Sequence, residues 1–144
     1  MAERTIRSVI EGQQLITASI TTPVTEAALR MKEGNVGAMM VVDGDKLVGV
    51  FTERDALFRV VACGLDGRAT TLAEVMTANP QTIHPDSSFT DALKMMHDGR
   101  FRHLPVVEDG RLVGAVSTRD ALGPELEGFV YELLRQEHYE QVLA

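Results

Sequence analysis

Two short stretches of this chain combine residue types able to grip an anion: Thr52-Glu53-Arg54-Asp55 and Ser117-Thr118-Arg119-Asp120. In each, a hydroxyl residue is followed three positions later by an acid, the pattern that opens a helix. The free N–H groups of a helix's first turn and the positive end of its dipole favour an anion by roughly 0.3–1 kcal/mol. The hydroxyl can donate to a phosphate oxygen, and the arginine can pair with it in bidentate fashion. The aspartate only accepts, which suits donors such as the hydroxyls of a ribose. The same residues also make an ordinary helix cap, worth about 1 kcal/mol. Capping requires no arginine, however, and Arg54 recurs as Arg119.

The recurrence is part of a larger one. Offsetting the sequence by 65 residues aligns Thr22–Leu57 with Ser87–Leu122 without a gap, with 13 of 36 positions identical. Each copy reads as strand, helix, strand, strand, helix. A leading strand is expected over 15–18 and again over 81–83. Thr22 and Ser87 are N-cap candidates, with Pro23 suited to a first helical turn. The first helices carry Ala27, Ala28 and Met31, and Ala92, Leu93, Met95 and Met96, on a stripe facing a sheet, and should stop with Gly34 and Gly99 at the C′ position. A hairpin follows in each copy, turning at 43–46 and 108–111, and its second strand runs into the Thr52 or Ser117 corner. The turn-rich segment 63–71 separates repeat 1 (1–70) from repeat 2 (71–144). Leu126, Phe129, Val130, Leu133 and Leu134 fall at helical spacing, so a C-terminal helix should cover something, on its own repeat or on a second subunit.

Composition narrows the function. The 144 residues carry a net charge of −7 and no basic tract, which argues against a grip on nucleic acid. Apolar runs such as Ala38–Val42 are too short to span a bilayer, and the polar start MAERTIRSVI lacks the order of a signal peptide, so a cytoplasmic location is expected. Cys63 is the only cysteine, and His84, His97 and His138 show no metal-ligand spacing and are expected at the surface. His103 either contacts a ligand or merely covers the start of its strand. No nucleophile motif accompanies Asp55 or Asp120, so no enzyme activity is expected.

These residues resemble the CBS (cystathionine β-synthase) domains, whose tandem pairs are called Bateman modules. The similarity rests on Val36-Gly-Ala-Met-Met-Val-Val42, Leu47-Val-Gly-Val-Phe-Thr-Glu-Arg-Asp55, Val75-Met-Thr77, Arg102-His-Leu-Pro-Val-Val107 and Leu112-Val-Gly-Ala-Val-Ser-Thr-Arg-Asp120. It implies an α/β (α+β) fold of two β-α-β-β-α repeats related by a pseudo-two-fold axis, plus the C-terminal helix. It also implies two clefts for adenine nucleotides, with Thr52, Arg54 and Asp55 in one and Ser117, Arg119 and Asp120 in the other. Adenine would rest on Thr17 and Ala18 with Gly37, Ala38 and Met39, and on Thr82 and Ile83 with His103, Leu104 and Pro105; Arg102 adds charge beside them. Met40 stands where the second copy has Pro105, so the clefts are expected to differ. The implied ligands are AMP, ADP, ATP, NAD(H) or S-adenosylmethionine, and the implied role is a regulatory sensor acting as a homodimer on an unidentified protein. The alternative is a ligand-independent dimerisation or interaction module.

Overall fold

The computed structural model describes residues 3–143, and side chains as far as His138. Met1, Ala2 and Ala144, the outermost residues of the two expected repeats, lie outside the described residues. The elements are α1 (Ile6–Ile10), β1 (Thr17–Ala18), α2 (Val24–Gly34), β2 (Ala38–Asp43), β3 (Lys46–Thr52), a short α3 (Glu53–Asp55) continuing as a π-helix over Ala56–Val61, α4 (Leu72–Val75), β4 (Thr77–Ala78), α5 (Phe89–Gly99), β5 (His103–Glu108), β6 (Arg111–Ser117), a 3₁₀ turn (Thr118–Asp120) and α6 (Gly123–Leu143). The order strand, helix, strand, strand, helix recurs, as the sequence suggests.

Both hairpins form with matching registers. β2 pairs with β3 from Ala38↔Thr52 to Asp43↔Lys46, and β5 with β6 from His103↔Ser117 to Glu108↔Arg111. Each has its bulge at the same place, between Val41 and Val42 and between Val106 and Val107. A bulge offsets the alternation by one residue. Before the bulge, where pairing is regular, the first strand of each hairpin is covered on both faces and keeps consecutive buried residues, Met39, Met40 and Val41 in one and Leu104, Pro105 and Val106 in the other.

The copies exchange their leading segments. α1 begins at Thr5, whose hydroxyl oxygen accepts from the Ser8 amide, and its Ile6 is fully buried in the core of repeat 2 with Phe89, Leu93, Met96 and Leu104. In the same way α4, after Thr71, inserts Leu72 and Val75 into the core of repeat 1 beside Met31, Met39 and Phe51. The backbone bonds match: the Ile6 amide donates to the Ser87 carbonyl at 2.9 Å, and the Leu72 amide to the Thr22 carbonyl at 3.0 Å. β4 then extends the sheet of repeat 1, giving the order β1-β2-β3-β4 with β1 parallel to β2. On the other side Gln13 does a strand's work with its side chain, its amide donating to the Ala115 carbonyl and accepting from the Ala115 amide. Neither repeat has a complete core of its own residues.

Three local expectations are corrected. Helix α2 is flanked by Pro23 rather than Thr22, and α5 is capped by Ser88, whose hydroxyl accepts from the Asp91 amide, rather than by Ser87. The left-handed residues after these helices are Asn35 (φ 51°) and Arg100 (φ 58°), while Gly34 and Gly99 are the last helical residues. Glycine is needed there for room: a Cβ would collide with Ile16 at position 34 and with Phe101 at position 99. The leading strand of repeat 1 is only Thr17–Ala18, and that of repeat 2 shrinks to a single parallel bridge, Ile83↔Val106. The apolar stripe of α6 divides: Phe129 and Leu133 pack on the core of repeat 2, and Leu126, Val130 and Leu134 stay about half exposed.

Candidate functional site

Thr52 ends β3 in extended conformation and starts the next helix. Its hydroxyl accepts from the Asp55 amide, and its amide donates 2.9 Å to Asp55 Oδ2, a reciprocal capping box. Ser117 and Asp120 repeat this at the end of β6, where the Ser117 amide donates 2.7 Å to Asp120 Oδ2. The capping expectation and the corner expectation therefore coincide on the same atoms. In each aspartate one carboxylate oxygen holds the turn. Asp55 Oδ1 lies 3.5 Å from the Arg59 guanidinium, and Asp55 is buried whereas Asp120 is half-buried.

The exchange of leading segments decides what each corner faces. Thr52, Glu53, Arg54 and Asp55 of repeat 1 open onto a cleft of about 700 Å³ whose far wall comes from repeat 2: Thr77 and Asn79–Gln81 before its leading bridge, and Gly99–His103 after α5. Ser117, Arg119 and Asp120 open onto a smaller cleft of about 340 Å³, walled by repeat 1 through Gln13–Ile16 and Asn35–Ala38. His103 lines both. Its Nε2 stands 3.2 Å from Glu53 Oε2, so a side-chain bridge joins the corner of repeat 1 to the first residue of the hairpin in repeat 2.

The structure thus groups Thr52, Arg54 and Asp55 with Arg102 and His103, and Ser117, Arg119 and Asp120 with Gly37, Ala38 and His103. The other candidate residues line neither cleft. Ala18, Met39, Ile83, Leu104 and Pro105 are buried. Thr17 is half-buried, and its carbonyl accepts from Arg30 at 2.7 Å; Thr82 is exposed. Residues that sequence reasoning passed over also line the large cleft. Phe58 lies under the Arg54 guanidinium, 5.1 Å from ring centroid to Cζ, a cation–π arrangement. Arg59 donates to the carbonyls of Val75 and Met76, tying the π-helix to α4. Its place four residues after Asp55 was the available signal, since that spacing brings side chains together on a helix.

Outside the clefts, His84, Asp86 and Glu108 bring one ligand atom each within 4.8 Å of the others. Arg7 already occupies this cluster, 3.0 Å from Asp86 and 2.5 Å from Glu108, and its hydrogen bond holds the Glu108 carboxyl below the usual carboxylate range. His84, His97 and His138 are exposed, as expected. A second arginine of the N-terminal segment, Arg4, forms a bidentate pair with Glu125 at 2.6 and 3.0 Å and donates to the Asp120 carbonyl at 2.8 Å. That hydrogen bond lowers the Glu125 carboxyl and raises the Arg4 guanidinium. Arg4 thereby links the corner of repeat 2 to the first turn of α6.

A model of the CBS domain matches residues 6–62 and again 72–124, so both copies, each with its own leading helix, fall within a match. The chain belongs to the CBS domain family. It is 35% identical over 109 residues to the CBS domain-containing protein CBSCBSPB3 of Arabidopsis thaliana, an alignment spanning 75% of this chain but only about a fifth, 20%, of that protein. Among solved structures it resembles a putative signal-transduction protein with CBS domains from Burkholderia ambifaria MC40-6, with TM-score 0.77 and 33% identity over 81% of this chain and 90% of that one. It also resembles the CBS domain pair of protein MJ0100 in complex with 5′-methylthioadenosine and S-adenosyl-L-methionine, with TM-score 0.74 and 28% identity over 83% and 93% of the respective chains. Among the described residues no helix is long and apolar enough to cross a membrane.

Proposed function

We propose that this CBS pair is a regulatory module that binds adenine-containing ligands, AMP, ADP, ATP, NAD(H) or S-adenosylmethionine, in the clefts between its repeats, and that it catalyses no reaction itself. The observation carrying this reading is the duplicated corner opening onto a cleft walled by the other repeat. A ligand seated there touches both repeats at once, so its binding energy depends on their relative placement, the requirement for transmitting a signal. The large cleft falls within the roughly 300–1,000 Å³ typical of small-molecule sites. The adenosine-containing ligands of the MJ0100 domain pair support the ligand class. Oδ2 of Asp55 and of Asp120 is engaged in capping, and no nucleophile motif accompanies either carboxylate.

A second reading, assembly, has its own observation. The second helix of each repeat leaves apolar side chains about half exposed or more: Leu57, Phe58 and Val61 on the π-helix, and Leu126, Val130 and Leu134 on α6. By the 65-residue offset Val61 stands opposite Leu126, and we assign these two helix faces to a homodimer interface that conveys ligand state to a regulated protein in the cytoplasm.

The test is thermal unfolding of wild type, Asp55→Asn and Asp120→Asn with AMP, ADP, ATP, NAD, NADH and S-adenosylmethionine. A compound at a hundredfold excess over its dissociation constant adds roughly 2.7 kcal/mol of stability. One that stabilises wild type and fails on an aspartate variant upholds the reading; a panel that leaves wild type unmoved refutes it.

A further inference from the structure

The offset that superimposes the two copies also shows where they disagree. Arg100 stands opposite Asn35, and Arg102 opposite Gly37. Because the walls are exchanged, the arginines line the large cleft, and Asn35 and Gly37 line the small one. The large cleft is thus lined by four arginines against two carboxylates, the small one by one of each. Among the described residues Arg54, Arg100 and Arg102 enter no ion pair, so their charge is directed at solvent and at whatever fills the cleft. A chain of net charge −7 collects three unneutralised guanidinium groups in one depression.

Arg100 is held there against local preference. Its backbone is left-handed, φ 58° and ψ 41°, a region that disfavours a residue with a long side chain and tolerates asparagine. The equivalent position of the other copy follows that rule with Asn35. An outlier of this kind, beside a cleft, points to a role for the side chain rather than for the turn. The Arg102 position is permissive for a related reason. At Gly37 a Cβ would stand 2.5 Å from Glu53 Oε1, whereas the residue corresponding to Glu53 in the second copy is the shorter Thr118.

We propose that the large cleft selects adenine ligands by phosphate number, holding those with two or more phosphates through Arg54, Arg100 and Arg102, while the small cleft takes an adenine nucleoside or a derivative with little negative charge. This rests on the adenine-binding reading above. Guanidinium groups from two different repeats converge on the phosphates, so the phosphate-rich ligand is also the one that draws the repeats together.

The experiment is isothermal titration of the full chain with adenosine, AMP, ADP and ATP at fixed ionic strength. Wild type is compared with Arg100→Asn/Arg102→Gly, which installs the residues of the first copy, and with the milder Arg102→Gln, a change at an exposed side chain. Wild type is expected to bind ATP at least about tenfold more tightly than adenosine. The double variant should lose on the order of tenfold in ATP affinity and keep adenosine affinity within about twofold, with Arg102→Gln falling between. Its unfolding temperature should not drop, because asparagine suits the left-handed turn. Wild type binding adenosine and ATP equally, or both variants keeping the ATP preference, overturns the phosphate-counting proposal and leaves the adenine reading standing. Failure of every compound to bind wild type overturns both.

Discussion

Replacing Asp55 by alanine should cost about 2 kcal/mol of stability, roughly twice the cost at Asp120. Oδ2 of Asp55 accepts from the Thr52 amide at 2.9 Å and from the Thr52 hydroxyl at 3.2 Å, and the residue is buried, only 7% exposed. Alanine leaves that amide without its partner where water enters poorly, and a lost hydrogen bond to a charged group costs about 1.5–3 kcal/mol. The Asp55–Arg59 pair adds little, since the arginine side chain is half exposed. At Asp120 the Ser117 amide donates at 2.7 Å, but the carboxylate is half-buried and water can substitute, so the loss is that of an ordinary cap, about 1 kcal/mol. For a chain of this size these figures correspond to drops of about 6 °C and about 3 °C in Tm. Equilibrium urea unfolding of the two alanine variants, with m unchanged, measures the difference. Equal costs, or an Asp55→Ala variant within about 0.5 kcal/mol of wild type, would refute the claim that Asp55 is a structural cap as well as a ligand contact. Asp55→Asn keeps a carbonyl acceptor and should recover about half of the loss, so asparagine is the substitution to use in ligand tests.

The Arg4–Glu125 pair should make α6 sensitive to acid. Because the Glu125 carboxyl is lowered on folding, chiefly by the Arg4 hydrogen bond, its contribution is fully present above the ordinary glutamate value of 4.5 and is lost as pH falls through the lower folded value. Glu125→Gln should reproduce that loss at neutral pH, about 1 kcal/mol, read as faster amide exchange in the first turns of α6; unchanged exchange in the variant would count against the clamp. For the assembly face, Val61→Glu and Leu134→Glu should each weaken self-association at least about tenfold in sedimentation equilibrium while leaving the unfolding temperature within about 2 °C, since neither side chain is buried within the chain. A wild-type chain that sediments as a monomer at high micromolar concentration would remove the homodimer reading.

The parts of the fold legible in the sequence are those encoded by neighbours along the chain. The Thr52 and Ser117 corners follow from hydroxyl and acid three residues apart, and the hairpins from apolar runs flanking Asp- and Gly-containing turns. The repeat fixes that both copies share one register, down to the position of the bulge. What escaped depends on contacts distant in sequence. Nothing in Ile6 or Leu72 says which copy its side chain will enter, because a buried aliphatic fits either apolar core. Gly34 and Gly99 read as left-handed stops, yet they are there for the bulk of Ile16 and Phe101, residues whose approach only the folded chain reveals. The π-helix over Ala56–Val61 carries no sequence signature distinct from an α-helix, so Arg59 and Phe58 were not placed in the cleft. Arg102 is legible beside the second cleft-lining strand, and Arg100 is within reach: setting the two copies side by side for their differences singles it out.

Exchange of the leading segments has a consequence for cutting the chain. A nick between Cys63 and Thr70 would leave two pieces, each holding the core-plugging helix that the other lacks: α1 fills the second half and α4 the first. Neither piece is equipped to live alone, yet mixed together they carry every buried contact of the intact molecule except the covalent link. The same complementarity would be satisfied by two molecules of a single-repeat ancestor lending each other their first helices. On that view the loop joining the copies only turned an already reciprocal pairing into one chain.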